Sequence, residues 1–514
     1  SPESAVLAGE SDDDLPALSG DELGESFVAP ASKMITLSTQ NGVFRVRSKL
    51  PEDKHAYIYV RTAFTRQELN MVLNSQFKLV SEDTTNVRTV FEFQDENRQK
   101  ISHSMMSAEG THALAIPNEC VYIRFGLRIQ GTSDIKIHKL VLGSHGEKPA
   151  AIVGRAPVLV LTKQYPAYDD LYKYGFLHTR VRAYAKSGTP VEVFRITNQA
   201  GLPYREFENI DVASGDTTLL RQTLETGRYQ HVLVHILDSA MWNVLKDFLE
   251  TIKVTVWAHG SEIQVWQRRQ YEFTNLKADE ITRKKKLSDN RKAFWRSVFA
   301  NSSANLSFVF VSEWLKRTTE EDLGVSLTGE RYAVIPNFVD GSIFDYKKKT
   351  AESRKKFLSI RPYVNRTYAN DLTVGAILEL SKKPYFDELA IELCGDGELF
   401  DTTTAPLANF KNVKLSKGFL NHAEISAKHK EYGVFLTPSR MDTQGVSRDE
   451  AMSSGLVPIT TDVAAISEFV SEREGYVCPP EDASQLAAMA ARIVENPEEF
   501  LEKSEAASRR VAST

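Results

Sequence analysis

The sequence predicts an α/β protein with two Rossmann-like, doubly wound domains preceded by an antiparallel β-sandwich. Residues 34–146 read as short alternating strands, and continuous apolar runs alternate with helical segments from Pro157 onward. A second series of such runs begins near Asp371. Continuous apolar runs are typical of parallel strands buried on both faces, whereas alternation is typical of strands with one buried face. A chain of 514 residues is long enough for two to four domains.

The composition excludes several classes of protein. A net charge of −5 gives no support for a nucleic-acid-binding protein, which usually carries a basic excess. The three cysteines, Cys120, Cys394 and Cys478, fit no metal-ligand spacing, and their odd number argues against a secreted disulfide framework. No apolar run reaches 18 residues, and the amino terminus has no signal-peptide pattern. We therefore expect a cytoplasmic protein.

The amino-terminal segment, residues 1–33, contains eight acidic residues and one lysine. Such a composition buries too little apolar surface to offset the entropy of ordering, so we predict that residues 1–33 are disordered. Because the sequence starts Ser-Pro-Glu-Ser, we expect either a fragment of a longer protein or a processed form.

The predicted β-sandwich spans residues 34–146. In the stretch 121–129, Val121, Ile123, Phe125, Leu127 and Ile129 alternate with polar or small residues. Further strands are predicted at 56–60, 76–80, 87–93 and 134–137, with turn signals such as Pro117-Asn118 between them. Short strands at near-regular spacing favour a jelly-roll-like sandwich. Two roles stay open for it: a carbohydrate-binding module, or a structural or oligomerisation domain.

The first α/β domain is predicted at residues 155–335 and the second at 336–514. Strands of the first domain are expected at 158–161, 191–194, 231–236, 254–257 and 308–311, with a helix near 176–186. Apolar runs taken as strands of the second domain lie at 372–377, 390–393, 413–415, 434–436 and 457–459. Leu486, Met489, Ala490 and Ile493 predict a closing helix.

Two acids flank a glycine turn in the second domain. A buried strand at 434–437 leads into a turn that contains Gly445, and a helix carrying Glu450 follows. Backbone N–H groups and the helix dipole at such a turn can face a phosphate-bearing ligand. Carboxylates such as Asp442 and Glu450 accept hydrogen bonds from sugar hydroxyls. The pattern predicts a nucleotide-sugar site, although a plain turn between two unrelated acids is the alternative.

Residues 277–297 form a basic segment with eight Lys and Arg residues against three acids, next to Phe294 and Trp295. A basic helix with aromatic residues can rest on an anionic membrane surface. The alternative is a solvated helix face. The first interpretation predicts peripheral contact with a membrane.

Several pieces of the chain, taken in order, resemble the motifs of glycosyltransferase family 4, a family of retaining enzymes with the GT-B fold. The pieces are Tyr165–Gly188, Trp257–Glu262, Phe310–Ser312, Val334–Asp340 with Phe344, Leu393–Gly397, Lys417–Phe419 and Asp442–Pro458. They correspond to the opening acceptor-side loop, the "HG" segment, the "VS" strand end, the interdomain linker, the "GDG" turn, the nucleotide-base loop and the acid-seven-acid signature. The resemblance covers roughly residues 155–510.

The resemblance implies a role for each donor-side residue. Glu450 would bind the ribose hydroxyls, and Asp442 the hydroxyls of the transferred sugar. Backbone amides of Thr443, Gln444, Gly445 and Val446 would hold sugar and diphosphate oxygens, with Gly395, Gly418 and Phe419 lining the nucleotide side. Arg361 and Arg366 would stabilise the leaving diphosphate, so that no metal and no other cofactor is required.

The resemblance also implies the acceptor side and the reaction centre. His259 would approach the sugar near the reacting carbon from the first domain. Tyr165, Gly175 and His178 would lie on the acceptor side. Retaining enzymes of this family are thought to use a front-face substitution in which the leaving phosphate helps to deprotonate the acceptor.

The sequence departs from the family pattern at several positions. Asp442 stands where Glu is usual, and Arg366 followed by Thr367 stands where Lys followed by Gly is usual. The opening loop has Gly175 in place of two adjacent glycines, and the sequence ends at Thr514 before the usual final aromatic-containing helix. We therefore expect a divergent member whose donor or acceptor differs from the commonest ones.

The expected function is transfer of a sugar from a nucleotide diphosphate sugar to a glycan, protein or lipid-linked acceptor by a metal-independent, retaining hexosyltransferase. The alternatives are an inverting GT-B transferase and a non-catalytic, glycosyltransferase-like protein that binds glycan or supports a complex. The β-sandwich would also allow an oligomer to form.

Overall fold

The structure, a computed structural model, describes residues 16–66, 75–117, 119–142, 156–167, 174–198, 204–208 and 210–514. Residues 1–15 of the predicted disordered segment, Asn118 of the predicted turn, and residues 143–146 and 155 at the predicted domain boundaries lie outside this part. The chain divides into two compact units, Ser1–Asp170 with Gly188–Val232, and Leu171–Ser187 with Leu233–Thr514.

The first unit begins with two antiparallel sheets. Their elements are β1 (Ala17–Ser19), α1 (Gly20–Ser26), β2 (Ile35–Gln40), β3 (Val43–Lys49), β4 (His55–Tyr59), β5 (Phe64–Thr65), β6 (Ser75–Glu82), β7 (Val87–Gln94), β8 (Lys100–Ser107), β9 (Thr111–Leu114), β10 (Tyr122–Gln130) and β11 (Thr132–Leu142). One sheet has the order β2-β3-β11-β6-β9, with β1 paired to β11, and the other has the order β4-β10-β7-β8, with β5 paired to β10. The predicted sandwich is confirmed.

The core between these sheets comes from the alternating positions of each strand. Ile123, Phe125, Leu127 and Ile129 of β10 are all fully buried, as the alternating pattern predicts. On the other sheet, Ile135 and Ile137 of β11 pack in the same cluster.

The prediction of disorder for residues 1–33 is wrong at residues 17–27. Strand β1 pairs with β11, and Ser19 caps α1 in a reciprocal capping box with Glu22. Leu18, Leu23 and Phe27 are buried in the sandwich core. Burial of these three apolar side chains in the core formed by the other strands stabilises the segment in spite of its acidic composition.

The chain continues into parallel α/β structure. The next elements are β12 (Val158–Thr162), α2 (Gly175–Lys186), β13 (Val191–Ile196), β14 (Tyr204–Phe207), β15 (Ile210–Gly215), α3 (Thr217–Glu225) and β16 (His231–His235). In the first unit, β12 and β15 pair in parallel with β13, and the short β14 adds to β15 in the antiparallel sense. The predicted strands at 158–161 and 191–194 and the helix near 176–186 are confirmed.

The second unit contains α2 and a parallel sheet with the order β16-β17-β18-β19. Its further elements are α4 (Ser239–Leu245), β17 (Lys253–Ala258), α5 (Ala278–Phe299), β18 (Leu306–Phe310), α6 (Glu313–Leu323) and β19 (Tyr332–Val334). We call residues 233–335 of this unit the first half and residues 336–514 the second half.

The second half is a six-stranded parallel sheet with the order β22-β21-β20-β23-β24-β25. Its elements are β20 (Lys356–Ile360), α7 (Asn370–Leu380), β21 (Ala390–Gly395), α8 (Phe400–Thr404), β22 (Val413–Lys417), α9 (His422–Glu431), β23 (Val434–Leu436), α10 (Val446–Ser453), β24 (Val457–Thr461), α11 (Ile466–Phe469), β25 (Tyr476–Cys478), α12 (Ala483–Glu495) and α13 (Pro497–Ala512). This order is that of a doubly wound domain.

Helices cover both faces of this sheet. Phe357 of β20 packs in a cluster with Leu372 of α7 and Leu486 of α12, whereas the next residue, Leu358, packs with Ala451 of α10. Neighbouring residues of a strand point to opposite faces. Therefore α7 and α10 lie on opposite sides of the sheet.

The predicted strand at residues 372–377 is wrong, because this run belongs to helix α7. Most of its residues are buried, and Gly375 lies close to Ala483 of α12. A helix that is buried on nearly all sides has apolar residues at almost every position. Its sequence then lacks a helical period and cannot be distinguished from that of a buried strand. The first strand of the sheet is instead β20, whose sequence Lys-Phe-Leu-Ser-Ile is less apolar.

Candidate functional site

The loop between β23 and α10 carries Asp442 and leads to Glu450. Gly445 precedes the helix with φ 97°, a left-handed conformation that favours glycine. A Cβ at Gly445 would lie 2.6 Å from the guanidinium of Arg448. The first N–H groups of α10 have no intrahelical acceptor, and the helix dipole makes this end attractive to an anion.

Glu450 lies half-buried on α10, and its carboxyl has no hydrogen-bond partner among the described residues. Burial, with the nearby charge of Asp449, raises the pKa of Glu450 to about 8. A half-buried carboxyl without a partner is costly unless a ligand supplies one. Asp442 accepts a 3.1 Å hydrogen bond from the backbone N–H of Gln444, which fixes the loop.

Arg361 lies buried at the carboxyl end of β20, with 6% of its surface exposed. Its guanidinium donates to the hydroxyl of Thr437, to the carbonyl of Pro438 at 3.2 Å and to the hydroxyl of Ser439 at 2.5 Å. Burial lowers the pKa of Arg361, and the negative charge of Asp442 opposes this effect. Its Nε–H has no partner among the described residues. Arg361 is thus a cation held in place by residues 437–439, which precede the Asp442 loop.

His259 follows β17 in the first half. Its Nε2 lies 3.0 Å from Nδ1 of the buried His235, and its backbone N–H donates to the Glu262 carboxylate at 2.5 Å. The same carboxylate accepts from the N–H of Gly260 at 2.9 Å. Burial and the charge of Arg180 lower the pKa of His259 to about 3, so its imidazole is neutral at physiological pH.

Thr443 joins the loops that carry His259 and Asp442. Its hydroxyl donates to the carbonyl of His259, and its methyl group lies so close to Gly260 that a Cβ there would approach within 2.7 Å. The structure thus brings together His259 from the first half and the 442–446 loop from the second half.

The side chain of Gln444 has a role that the sequence did not predict. It accepts from the backbone N–H of Asn337 at 2.6 Å and donates to the carbonyl of the same residue at 3.0 Å. It also donates to the Asp449 carboxylate at 3.0 Å. Gln444 therefore clamps the linker between the two halves to the candidate site.

A buried ion pair behind the loop was also missed. Arg448 is 1% exposed and donates to the carbonyl of Gln444 and, at 2.8 Å, to the Asp449 carboxylate. Two adjacent charges inside a helix that must pack on a sheet are the sequence signal that could have identified this pair. Through the bond from Arg448 to the Gln444 carbonyl, the pair stabilises the turn before α10.

Gly395 ends β21, the neighbour of β20 in the sheet, and Gly418 follows the edge strand β22. A Cβ at Gly395 would come within 1.9 Å of the carbonyl oxygen of Arg361, so a side chain has no room there. The N–H of Gly418 donates to the carbonyl of Gly395 at 2.9 Å, and the neighbouring Phe419 is 52% exposed. Their nucleotide-binding roles stay predictions.

Arg366 lines a separate pocket of about 480 Å³ together with residues of both halves. Its Nε–H has no partner among the described residues. The pocket does not include His259, Asp442 or Glu450. The expected pairing of Arg366 with Arg361 at the diphosphate therefore stays a prediction.

The predicted acceptor-side residues are distributed over both units. Gly175 begins α2, where His178 is buried, and the ring of the neighbouring Phe176 lies 4.7 Å from that of His259. Phe176 was not predicted. Tyr165 lies buried in the first unit with its ring 6.5 Å from that of Phe207, and its acceptor-side role stays a prediction.

The basic segment 277–297 coincides with helix α5. Trp295 is fully buried and donates its indole N–H to the carbonyl of Glu262 at 2.8 Å, so this aromatic residue faces the core. Lys285 lies 4.3 Å from the ring centre of Trp266. No helix in the part of the chain that the structure describes is long and apolar enough to span a membrane. Contact of this segment with a membrane surface stays a prediction.

Comparison with protein families identifies a glycosyltransferase domain. Residues 344–511 match the family model described as "Glycosyl transferases group 1". This region contains Arg361, Gly395, Asp442 and Glu450. No curated protein matches the sequence.

Solved structures show that the fold is GT-B. The chain resembles a sucrose-phosphate synthase from Thermosynechococcus elongatus at 14% identity, with a TM-score of 0.52 over 70% of this chain and 94% of that one. It resembles an α,α-trehalose-phosphate synthase (UDP-forming) from Burkholderia vietnamiensis at 12% identity, with a TM-score of 0.51 over the same shares. The HepE protein of Anabaena, solved with UDP and glucose, has 12% identity and a TM-score of 0.50 over 69% of this chain and 95% of that one. The family match and this fold support a transferase.

Proposed function

We propose that the protein is a retaining glycosyltransferase of family 4 that moves a sugar from a nucleotide diphosphate sugar to a glycan, protein or lipid-linked acceptor without a metal. The observation that carries this proposal is the contact between Thr443 and the His259 loop. It supports a shared donor site, because the loop after His259 contacts the loop that carries Asp442 and leads to Glu450. A donor held there would be shielded from water, which limits its hydrolysis.

The donor is recognised by two carboxyl groups in this proposal. Glu450 lacks a partner among the described residues, and ribose hydroxyls would supply one. Asp442 contacts hydroxyls of the transferred sugar, and one of its oxygens already holds the loop through Gln444. Because Asp442 is one methylene shorter than the usual Glu, it is the position where sugar specificity differs from the family.

The leaving group is stabilised by fixed positive charge. As the sugar–phosphate bond breaks, negative charge develops on the diphosphate. The buried Arg361 and the free N–H groups at the start of α10 are oriented before the reaction and need no reorganisation. A leaving phosphate oxygen accepts the acceptor's proton on the same face of the sugar, so configuration is retained. Neutral His259 contacts the sugar but does not take the proton.

Two structural neighbours were solved with UDP and glucose and with UDP-2-fluoro glucose, respectively. We therefore choose UDP-glucose as the first donor to test. Other UDP, GDP and ADP sugars complete the panel, because Asp442 and Arg366 depart from the family pattern. Bound donor raises the melting temperature by mass action.

The test combines donor binding, turnover and product stereochemistry. Glu450→Ala and Arg361→Ala should abolish turnover, whereas Glu502→Ala, which removes an exposed acid of α13, should leave it unchanged. NMR of the product should show the anomeric configuration of the donor. An inverted product would establish an inverting transferase, and a wild type that binds and turns over no donor would establish a non-catalytic partner protein.

We also propose that the β-sandwich binds carbohydrate. Tyr57 and Tyr59 of β4 have parallel rings 6.2 Å apart, and Tyr57 is 41% exposed. A Cβ at Gly126 would come within 2.5 Å of the Tyr59 ring, so the glycine lets that ring lie flat on the sheet. Flat, partly exposed aromatic rings suit the apolar faces of sugar rings.

A further inference from the structure

The sheet with the order β4-β10-β7-β8 has one face that is turned away from the sandwich core, and we call it the outer face. Its central part is formed by Tyr57 and Tyr59 of β4, Arg124 and Arg128 of β10, and Arg88 and Glu92 of β7. These residues alternate along their strands with core residues such as Ile58, Phe91 and Leu127. The aromatic and charged side chains of the three strands therefore share the side of the sheet that is opposite to the core.

Two arginines of the outer face lie directly opposite each other, Arg128 on β10 and Arg88 on β7. Side chains in this relationship have Cβ atoms about 4.5–5.5 Å apart, and like charges there destabilise the sheet. Arg88 is exposed, Arg128 donates to the side chain of Gln130 at 3.1 Å, and neither forms an ion pair within the part of the chain that the structure describes. Two adjacent cations without a carboxylate indicate a ligand that supplies the missing negative charge.

An aromatic ring lies beside this arginine pair. Tyr57 of the edge strand β4 is directly opposite Arg128, so that Tyr57, Arg128 and Arg88 form one row across three strands. Neighbouring strands are about 4.8 Å apart, and the row therefore spans roughly 10 Å between its outer Cα atoms. A sugar unit stacked on Tyr57 would place a charged substituent, or the next unit of its chain, over the arginines.

The rest of the outer face leaves the positive charge of this row unopposed. Tyr59 stacks with Tyr57, and the guanidinium of Arg124 lies 4.9 Å from the centre of the Tyr59 ring. Glu92, the one acid among the six residues, is opposite Arg124 and accepts a 2.9 Å hydrogen bond from Gln94. It is four residues from Arg88 on β7, about 13 Å along the strand. Three arginines thus face one distant acid.

A ligand that fits this face offers an apolar ring face to Tyr57 and an anionic group to the arginines. Aromatic rings suit the apolar faces of sugars, and guanidinium groups bind carboxylates and phosphates through paired N–H donors. A neutral glycan would leave Arg88 and Arg128 without partners, and an anion without sugar would leave Tyr57 unused. On the basis of the proposed carbohydrate binding by the sandwich, we propose that the outer face binds a glycan chain that carries carboxylate or phosphate groups.

Binding of the full chain to four polymers, measured without any donor, tests this proposal. Polygalacturonate carries carboxylates, phosphomannan carries phosphates, dextran is a neutral glycan, and polyphosphate is an anion without sugar. We expect polygalacturonate or phosphomannan to bind at least about tenfold more tightly than dextran and polyphosphate, and this preference to weaken as salt is added. The charged glycan that binds more tightly identifies the anionic group.

The other outcomes separate this proposal from the carbohydrate binding on which it rests. Equal affinity for dextran would overturn the charge preference and leave carbohydrate binding intact. Equal affinity for polyphosphate would show a general anion-binding surface, and binding of none of the glycans would overturn both proposals.

Variants of the arginine pair separate ligand recognition from folding. Arg88→Gln should weaken binding of the charged glycan about tenfold. The melting temperature of the ligand-free variant should stay the same or rise, because like-charge repulsion is removed. Lys49→Gln, which removes an exposed cation of β3 in the other sheet, should change neither.

Unchanged affinity in both Arg88→Gln and Arg128→Gln would contradict the proposal. Self-association of the wild type that Arg88→Gln abolishes, with no glycan bound, would assign the outer face to a second copy of the chain instead.

Discussion

Thr443 and Gly260 approach each other so closely that the Thr443 methyl group fills the space of a Cβ at position 260. The glycine has φ 145°, which other residues rarely adopt. One contact between the halves thus depends on the absence of a side chain. It also positions His259, whose carbonyl accepts from the Thr443 hydroxyl.

Gly260→Ala should separate the His259 loop from the Asp442 loop. We expect kcat/KM to fall by at least about tenfold, since small displacements of reacting groups are costly. Steady-state kinetics with the donor that the panel identifies measures this. Gly341→Ala is the matched control, because a Cβ at Gly341 meets no atom within 4 Å. Equal kinetics for both variants would show that the contact does not matter for catalysis.

Glu450 should make stability depend on pH. Its pKa is about 8 in the folded protein against 4.5 ordinarily, so between these values the folded state holds a proton that the unfolded chain has released. The stabilisation is therefore complete below about pH 4.5 and is lost as the pH rises through 8. The pKa of His259 is lowered to about 3 in the folded protein, so below its ordinary pKa of 6.5 this histidine makes stability rise with pH. The stability measurements are therefore made from pH 7 to 8.5, above that range.

Urea unfolding of wild type and Glu450→Gln over that range measures the effect. Wild-type stability should fall relative to the variant as pH rises, since glutamine does not titrate. Parallel curves would mean that Glu450 is ionised in the free protein. Saturating donor should flatten the wild-type curve if the ribose hydroxyls stabilise the carboxylate.

Gln444→Ala should destabilise the protein by about 1–3 kcal/mol, because the N–H and carbonyl of Asn337 lose their partner. The KM for donor should rise as well, since the linker is no longer fixed to the loop. Gln222→Ala, an exposed position on α3, should change stability by less than about 0.5 kcal/mol. A normal KM in a destabilised Gln444 variant would show that the clamp serves folding alone.

Tyr57→Ala should weaken glycan binding by the isolated full chain, because it removes the more exposed ring of the Tyr57–Tyr59 pair. Affinity electrophoresis in gels containing polysaccharide measures retention. Ile101→Ala removes an exposed apolar side chain, 39% accessible, from β8 of the same sheet and should not change it. Loss of oligomers in the Tyr57 variant, with retention unchanged, would favour the structural alternative for the sandwich.

The sequence predicted the architecture where burial follows a simple pattern. Strand β10 alternates, and the run Val434–Leu436 is buried throughout, so both were identified correctly. Helix α7 was mistaken for a strand because it is buried on nearly all sides. Residues 17–27 were mistaken for disorder because three apolar residues find a core formed by distant strands. Both errors depend on tertiary packing, which a local window does not contain.

The candidate site shows the same limit. The turn and the acids around Gly445 follow from local sequence, and Thr443 of this turn contacts the His259 loop in the structure. The clamp between Gln444 and Asn337 joins residues that are 107 positions apart, and the buried Arg448–Asp449 pair is understood once the packing of α10 is known. The clamp has no local pattern in the sequence, whereas the adjacent charges of Arg448 and Asp449 are visible in the sequence but do not reveal by themselves that both are buried.

The Asn337 backbone amide, held by Gln444, has a practical consequence. Its N–H is protected by the side chain of Gln444, so its exchange with deuterated solvent responds to the conformation of the 442–446 loop. Hydrogen exchange at this one backbone amide therefore reports whether the Gln444 side chain remains bound to the linker. It can be followed in the absence of any bound donor or acceptor.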